Sequence, residues 1–216
     1  MMIAFVLVMV ALGLLALGGL VYAAAGAELW ARRKAMHLER VGAFLFKGDA
    51  YYHPGHSWAA PRGDGSVRVG LDDFACRLLG HVDGVRLPAR GSAVRIGEPA
   101  LEVACWGKGA RFLSPVSGVV TSVNHRLAED GSPLRRDPYG RGWLFAVLPA
   151  DRGFRALPTG AAARQWLADE ADGLRRFFAA DLGLTAADGG DLVAHPPATL
   201  DAIQWARLTR KFFRTA

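Results

Sequence analysis

The side chain best placed to do chemistry in this sequence is Lys108. It stands between Gly107 and Gly109, a turn signal set between two apolar, β-prone runs, and that pattern predicts an antiparallel hairpin with a lysine at its exposed tip. Four histidines, His53, His56, His81 and His125, raise the question of metal binding. They fall on different expected elements with no cysteine or carboxylate at ligand spacing, so they do not read as a metal site. Asp72 and Asp73 are adjacent and cannot both face one reacting atom, so they read as a helix cap rather than an acid–base pair. No nucleophile–base constellation and no phosphate loop is visible, and catalysis by this chain alone is not expected.

The hairpin's flanks carry a resemblance. Pro115-Val-Ser-Gly-Val-Val-Thr-Ser-Val-Asn124 resembles the segment that follows the lipoyl-lysine hairpin in the glycine cleavage system H protein and other lipoyl domains. Tyr52-His-Pro-Gly-His-Ser-Trp58, Val69-Gly-Leu-Asp-Asp-Phe-Ala75 and Asp137-Pro-Tyr-Gly-Arg-Gly-Trp-Leu144 are similar to H proteins specifically, and the likeness runs from about residue 51 to 178. It implies a mainly β fold with α elements: a flattened antiparallel barrel of the barrel-sandwich hybrid type over 51–150, followed by a barrel-packing helix over 151–182.

The resemblance also implies a modification site. H proteins carry a Glu-Ser-Val-Lys-like tetrad whose lysine is lipoylated. Counting forward from Gly97-Glu98 and backward from Pro115 places the lysine slot on Gly107 and the glutamate slot on Ala104. Lys108 is one residue late, and successive residues of a hairpin point in different directions, so the slip re-aims the amine. The reading is therefore no cofactor, with lipoate on Lys108 as the alternative. Trp106, beside the tip, offers an apolar surface suited to docking.

These residues need elements to hold them. Residues 61–66 form a turn before a strand at 67–70, and 71–79 is helical in pattern with Asp72 or Asp73 as cap. Two further strands, 85–88 and 93–96, flank a turn at Gly91. Leu101, Val103, Phe112, Leu113, Val116 and Val119 are expected in the barrel's core or rim. The run 161–182 places Leu167, Ala171, Leu174 and Phe178 on one stripe of a helix. The extension over 183–216 contains a second amphipathic helix, with Leu200, Ile203, Leu208 and Phe212 on its apolar side. Cys76 and Cys105 suggest no disulfide framework and read as small buried or half-buried residues.

The run from Met1 to Ala27 contains no charged side chain and is longer than the roughly 20 residues a helix needs to cross a bilayer core. It reads as a transmembrane helix. The basic cluster Arg32, Arg33 and Lys34 follows this run, which places the N-terminus outside and the remainder on the cytoplasmic face of the inner membrane. Gly19, Ala23 and Ala27 make a smooth face on which another helix could pack, although small residues are common in membrane helices generally. Residues 28–50 read as an amphipathic juxtamembrane linker, its basic end among anionic lipid headgroups. The net charge of +6 agrees with an acidic partner or an anionic surface. Nucleic acid is not expected as a partner.

The leading functional expectation is a non-catalytic, single-pass accessory subunit whose cytoplasmic domain docks on a larger integral membrane complex. The same arrangement caps some respiratory and photosynthetic complexes, which is an analogy of architecture. One alternative is a membrane-tethered lipoyl carrier of a redox or glycine-cleavage-like system using Lys108. Another is a peripheral membrane regulator that binds anionic lipid through Arg32, Arg33, Lys34 and the C-terminal helix.

Overall fold

The computed structural model describes residues 14, 15, 17, 18, 21, 22, 36–181 and 196–215. The chain divides into two compact units, Met1–Leu38 and Glu39–Ala216. In the first unit residues 14, 15, 17, 18, 21 and 22 are helical. Most of the expected membrane span lies outside the described residues, as do Gly19, Ala23, Ala27, Arg32, Arg33 and Lys34. Among the described residues no helix is long and apolar enough to cross a membrane.

The second unit is mainly β. Strands β1 (Leu38–Val41) and β2 (Phe44–Lys47) form a two-stranded sheet. Then follow β3 (Tyr51–Tyr52), β4 (Ser57–Pro61), β5 (Val67–Leu71), helix α1 (Asp73–Leu79), β6 (Gly84–Arg86), β7 (Ala93–Val94), β8 (Pro99–Cys105), β9 (Lys108–Leu113) and β10 (Gly118–Val123). Short helices α2 (Arg126–Glu129) and α3 (Ser132–Arg136) lead to β11 (Phe145–Pro149), the long helix α4 (Gly160–Asp181), α5 (Pro196–Thr199) and α6 (Ala202–Leu208). A six-stranded sheet runs β3-β4-β5-β11-β10-β7, and a three-stranded sheet runs β6-β8-β9. The pairings within both are antiparallel.

Local chemistry explains most of these elements. The turn between β4 and β5 is closed by Asp64, whose Oδ1 accepts from the Ser66 N–H at 3.0 Å, while Gly65 takes φ +81°. Asp72 caps α1 by accepting the Ala75 N–H at 2.9 Å, and Gly80 ends the helix at φ 67°. The Trp58 ring lies over Gly70, its partner in the β4–β5 register, where a Cβ would collide with the indole. The Trp58 Nε1–H is satisfied by the Leu71 carbonyl at 2.9 Å.

Residues 38–47 depart from the expected linker. They form a β-hairpin whose Val41, Phe44 and Phe46 are buried. Asp73 Oδ2 accepts the Leu45 N–H at 2.7 Å, and the Tyr139 hydroxyl donates to the Leu45 carbonyl at 3.0 Å. The phenylalanines therefore supply core rather than a membrane-surface face, because the domain offers them an apolar pocket and polar partners for the N–H and carbonyl of Leu45 between them. The two strands that flank the turn at Gly91 pair elsewhere, β6 with β8 and β7 with β10.

Five of the six residues expected in the core or rim are buried: Leu101, Val103, Phe112, Leu113 and Val116. Val119 is 46% exposed, and its neighbour Val120 turns inward instead. In the run Val119-Val120 both residues are apolar, so composition could not choose which face of β10 met the core. The α4 stripe of Leu167, Ala171, Leu174 and Phe178 is buried as its spacing predicts. In the C-terminal helix Leu200, Leu208 and Phe212 are buried, but Ile203 is 69% exposed and Trp205 and Phe213 take the inner positions. Ile203 lies in the regular helical turn before Leu208, on the far side of the helix from Leu208 and Phe212, while Trp205 shares their side; a π-turn over Thr209–Phe213 then brings Phe213 inward beside Phe212.

Candidate functional site at the hairpin tip

The β8–β9 hairpin closes on the pair Cys105 and Lys108, leaving Trp106 and Gly107 as its two-residue turn. Both turn residues have positive φ, 53° and 71°, the signature of a type I′ turn whose twist suits the flanking strands. Glycine adopts this without penalty. For Trp106 it costs about 1–2 kcal/mol.

The expected tip is thus displaced by one residue. Gly107, the lysine slot of the resemblance, occupies the apex, while Lys108 is the first residue of β9, half-buried, opposite Cys105. The register follows from packing: Val103 faces Ala110 and Leu101 faces Phe112, all buried, and a one-residue slip would turn those side chains outward. Ala104, the glutamate slot, is exposed and lies between Gly84 and Gly109 on the neighbouring strands.

The tip is braced from the side. Asp83 Oδ2 accepts the Gly107 N–H at 3.2 Å, and the Asp83 N–H donates to the Ala104 carbonyl at 2.8 Å. His81 Nε2 lies 3.4 Å from Asp83 Oδ1, and its ring meets Trp106 edge-on at 5.7 Å between centroids. Trp106 remains 40% exposed and walls a groove of about 540 Å³ also lined by His81, Asp83, Glu129, Asp130 and Arg135. The apex therefore presents an aromatic ring on a held turn, beside a groove with charges of both signs.

Cys105 lies beneath the turn. Burial, with a contribution from the Asp83 charge and against the pull of Lys108, pushes its thiol up to about 12. Cys76 is buried in α1 and shifted in the same direction by burial. Neither forms a disulfide. Thiolate is the nucleophile, so both should resist alkylation at pH 8 in the folded protein and react promptly after denaturation, as quantified by mass. Above pH 9 an unfolded chain gives up the Cys105 proton, the folded chain holds it until about 12, and stability therefore falls with rising pH across that window.

A second polar cluster lies within the domain, and no local pattern in the sequence marks it. His56 is fully buried; its Nδ1 lies 2.8 Å from Asp72 Oδ2, and its ring stacks on Phe74 at 4.1 Å. Its Nε2 has no hydrogen-bond partner and faces Glu170 Oε2 at 3.9 Å; Glu170 in turn meets Arg214 at 3.7 Å. Four residues from three distant stretches, 56 with 72, 170 and 214, meet only in the folded chain. His53 accepts the Gly55 N–H and has its pKa lowered, chiefly by burial. His81 stands at the tip, and His125 is exposed. Among the described residues no group of three or more His, Cys, Asp or Glu is placed to hold a metal ion.

Comparison with known proteins gives one consistent family. Residues 50–177 match the family model described as glycine cleavage H-protein. The glycine cleavage system H protein of Xanthomonas euvesicatoria pv. vesicatoria (strain 85-10) is 39% identical over 105 residues, 49% of this chain and 80% of that protein. That of Mycobacterium avium (strain 104) is 43% identical over 105 residues, 48% and 78% of the two chains. That of Thermus thermophilus is 38% identical over 105 residues, 49% and 81%. A crystal structure of a glycine cleavage system H protein from Mycobacterium marinum aligns at 32% identity and a TM-score of 0.49, covering 56% of this chain and 98% of that one.

Proposed function

This chain belongs to the glycine cleavage H-protein family, and we propose that it is an accessory member that uses its hairpin tip for docking rather than to carry a lipoyl arm. Its domain is of the lipoyl-carrier type, and carriers of this kind are not catalysts; the chemistry belongs to the group they bear and to partner enzymes. One observation carries the reading. The apex position that the resemblance assigns to the modified lysine is Gly107 in a left-handed turn conformation, and Lys108 starts a strand, half-buried beside Cys105. What stands exposed at the apex is Trp106.

The partner we propose is a larger integral membrane complex, of the respiratory or photosynthetic type in overall arrangement. The charge-free run over 1–27 would anchor the chain in the inner membrane with its N-terminus outside. Gly19, Ala23 and Ala27 would meet a neighbouring helix, and Arg32, Arg33 and Lys34 would lie at anionic headgroups. Support for this part comes from the sequence pattern alone.

The experiment is purification from native membranes in mild detergent. The expected result is membrane-fraction protein with co-purifying subunits and no mass adduct on the tip peptide. Lys108→Ala should leave that association unchanged, whereas Trp106→Ala should weaken it by about tenfold or more, as for an aromatic anchor at an interface. Recovery in the soluble fraction would overturn the anchor. Lipoate on Lys108 would put the tethered-carrier reading first.

A further inference from the structure

Strand β9 is the outer strand of the three-stranded sheet, and an open strand edge is a template on which another chain can pair. In this protein that edge is closed by side chains. Alternate residues of a strand aim their carbonyls to the same side, and Gly109, Arg111 and Leu113 are three such residues. The Gly109 carbonyl accepts from Trp205 Nε1–H at 2.9 Å, that of Arg111 from the Thr215 hydroxyl at 3.0 Å, and that of Leu113 from the Ser57 hydroxyl at 2.7 Å. Two of the three donors belong to the C-terminal segment, which lies beyond the 50–177 family match.

The segment is seated as well as hydrogen-bonded. Phe213 packs on Phe112 of β9 at 4.5 Å between centroids, and Phe212 packs on Phe74 and Phe177 at 5.6 and 5.7 Å. Gly55 makes room for it: a Cβ there would lie 2.8 Å from the Phe213 carbonyl oxygen. Asp201 and Gln204 form a capping box that starts α6, and Arg214 reaches Glu170 beside the buried His56.

We propose that the segment 201–215 is a resident blocker of the outer edge of β9. That edge is an interaction surface fitted to a peptide that offers side-chain donors and aromatic rings, and the chain's own C-terminal segment occupies it in cis. Access to the return strand of the carrier hairpin is then controlled by whether this segment is seated, and this holds whether or not Lys108 is modified.

The test uses the full-length chain carrying Trp205→Phe and Thr215→Val, which removes both donors while keeping the ring and the branched shape. Amide hydrogen exchange is followed by mass spectrometry, and a labelled synthetic peptide of residues 196–216 is the probe. Exchange in residues 108–113 and in the segment 201–215 should rise about tenfold relative to the unsubstituted chain, the scale of a lost hydrogen bond, with the six-stranded sheet unchanged. The peptide should bind the variant about tenfold more tightly than it binds the unsubstituted chain. Arg214→Gln, at a half-exposed ion pair, is the gentler variant and should move both readouts in the same direction. Exchange that rises uniformly across the domain, together with a fall in Tm, would make the segment ordinary core and overturn the proposal. Unchanged exchange in 108–113, or a peptide that binds the variant no better, would overturn it as well.

Discussion

Gly107→Lys combined with Ala104→Glu is expected to make residue 107 of this hairpin a substrate for lipoyl attachment, approaching complete modification on co-expression with a lipoate ligase. The two positions are those that the H-protein resemblance assigns to the modified lysine and its preceding glutamate. The structure accommodates both changes. A Cβ at Gly107 meets nothing within 4 Å, and Ala104 is exposed on a strand whose paired neighbours there are glycines. The left-handed conformation at residue 107 charges the new lysine about 1–2 kcal/mol, which a turn already tolerating Trp106 in that conformation can bear. Intact mass reads the result directly. An adduct on the unsubstituted chain, at Lys108, would show that the one-residue slip does not prevent recognition. No adduct on the double variant would overturn the assignment of the two slots as sufficient for modification.

Asp72→Ala is expected to cost about 4 kcal/mol, a large part of the roughly 5–15 kcal/mol that holds a folded domain together. Asp72 is fully buried and does two jobs: one carboxylate oxygen caps α1 at the Ala75 N–H, and the other meets His56 Nδ1 at 2.8 Å. Loss of a cap alone costs about 1 kcal/mol. The larger part comes from stranding His56, whose other ring nitrogen already has no hydrogen-bond partner. Asp72→Asn keeps a cap and a hydrogen-bonding group and should lose only about 1–2 kcal/mol. Urea unfolding of the three proteins compares them, and a loss below about 1 kcal/mol for Asp72→Ala would mean that His56 finds water or Glu170 instead.

Much of the domain was legible in local pattern. The turn at Asp64-Gly65, the Asp72 cap and the α4 stripe all rest on interactions between residues a few positions apart, so their signals survive in one dimension. Where two adjacent residues were equally apolar, as at Val119 and Val120, pattern could not choose a face. Residues 38–47 misled for a related reason: interleaved charges and phenylalanines suit a membrane surface as well as a hairpin, and only the pocket and the anchors supplied by Asp73 and Tyr139 separate the two.

The sequence by itself determined the family, through spaced motifs across the domain, and showed that the lysine slot falls on Gly107. Those are properties of order and distance along the chain. Only the tertiary structure decided that Trp106 and Gly107, not Lys108, form the apex, because hairpin register is set by the buried pairs Val103 with Ala110 and Leu101 with Phe112 across two strands. It alone brought His56, Asp72, Glu170 and Arg214 together and laid Trp205 and Thr215 on the edge of β9. These contacts join residues as distant in sequence as His56 and Glu170, a separation at which no local propensity acts and only the packing of the whole chain chooses partners.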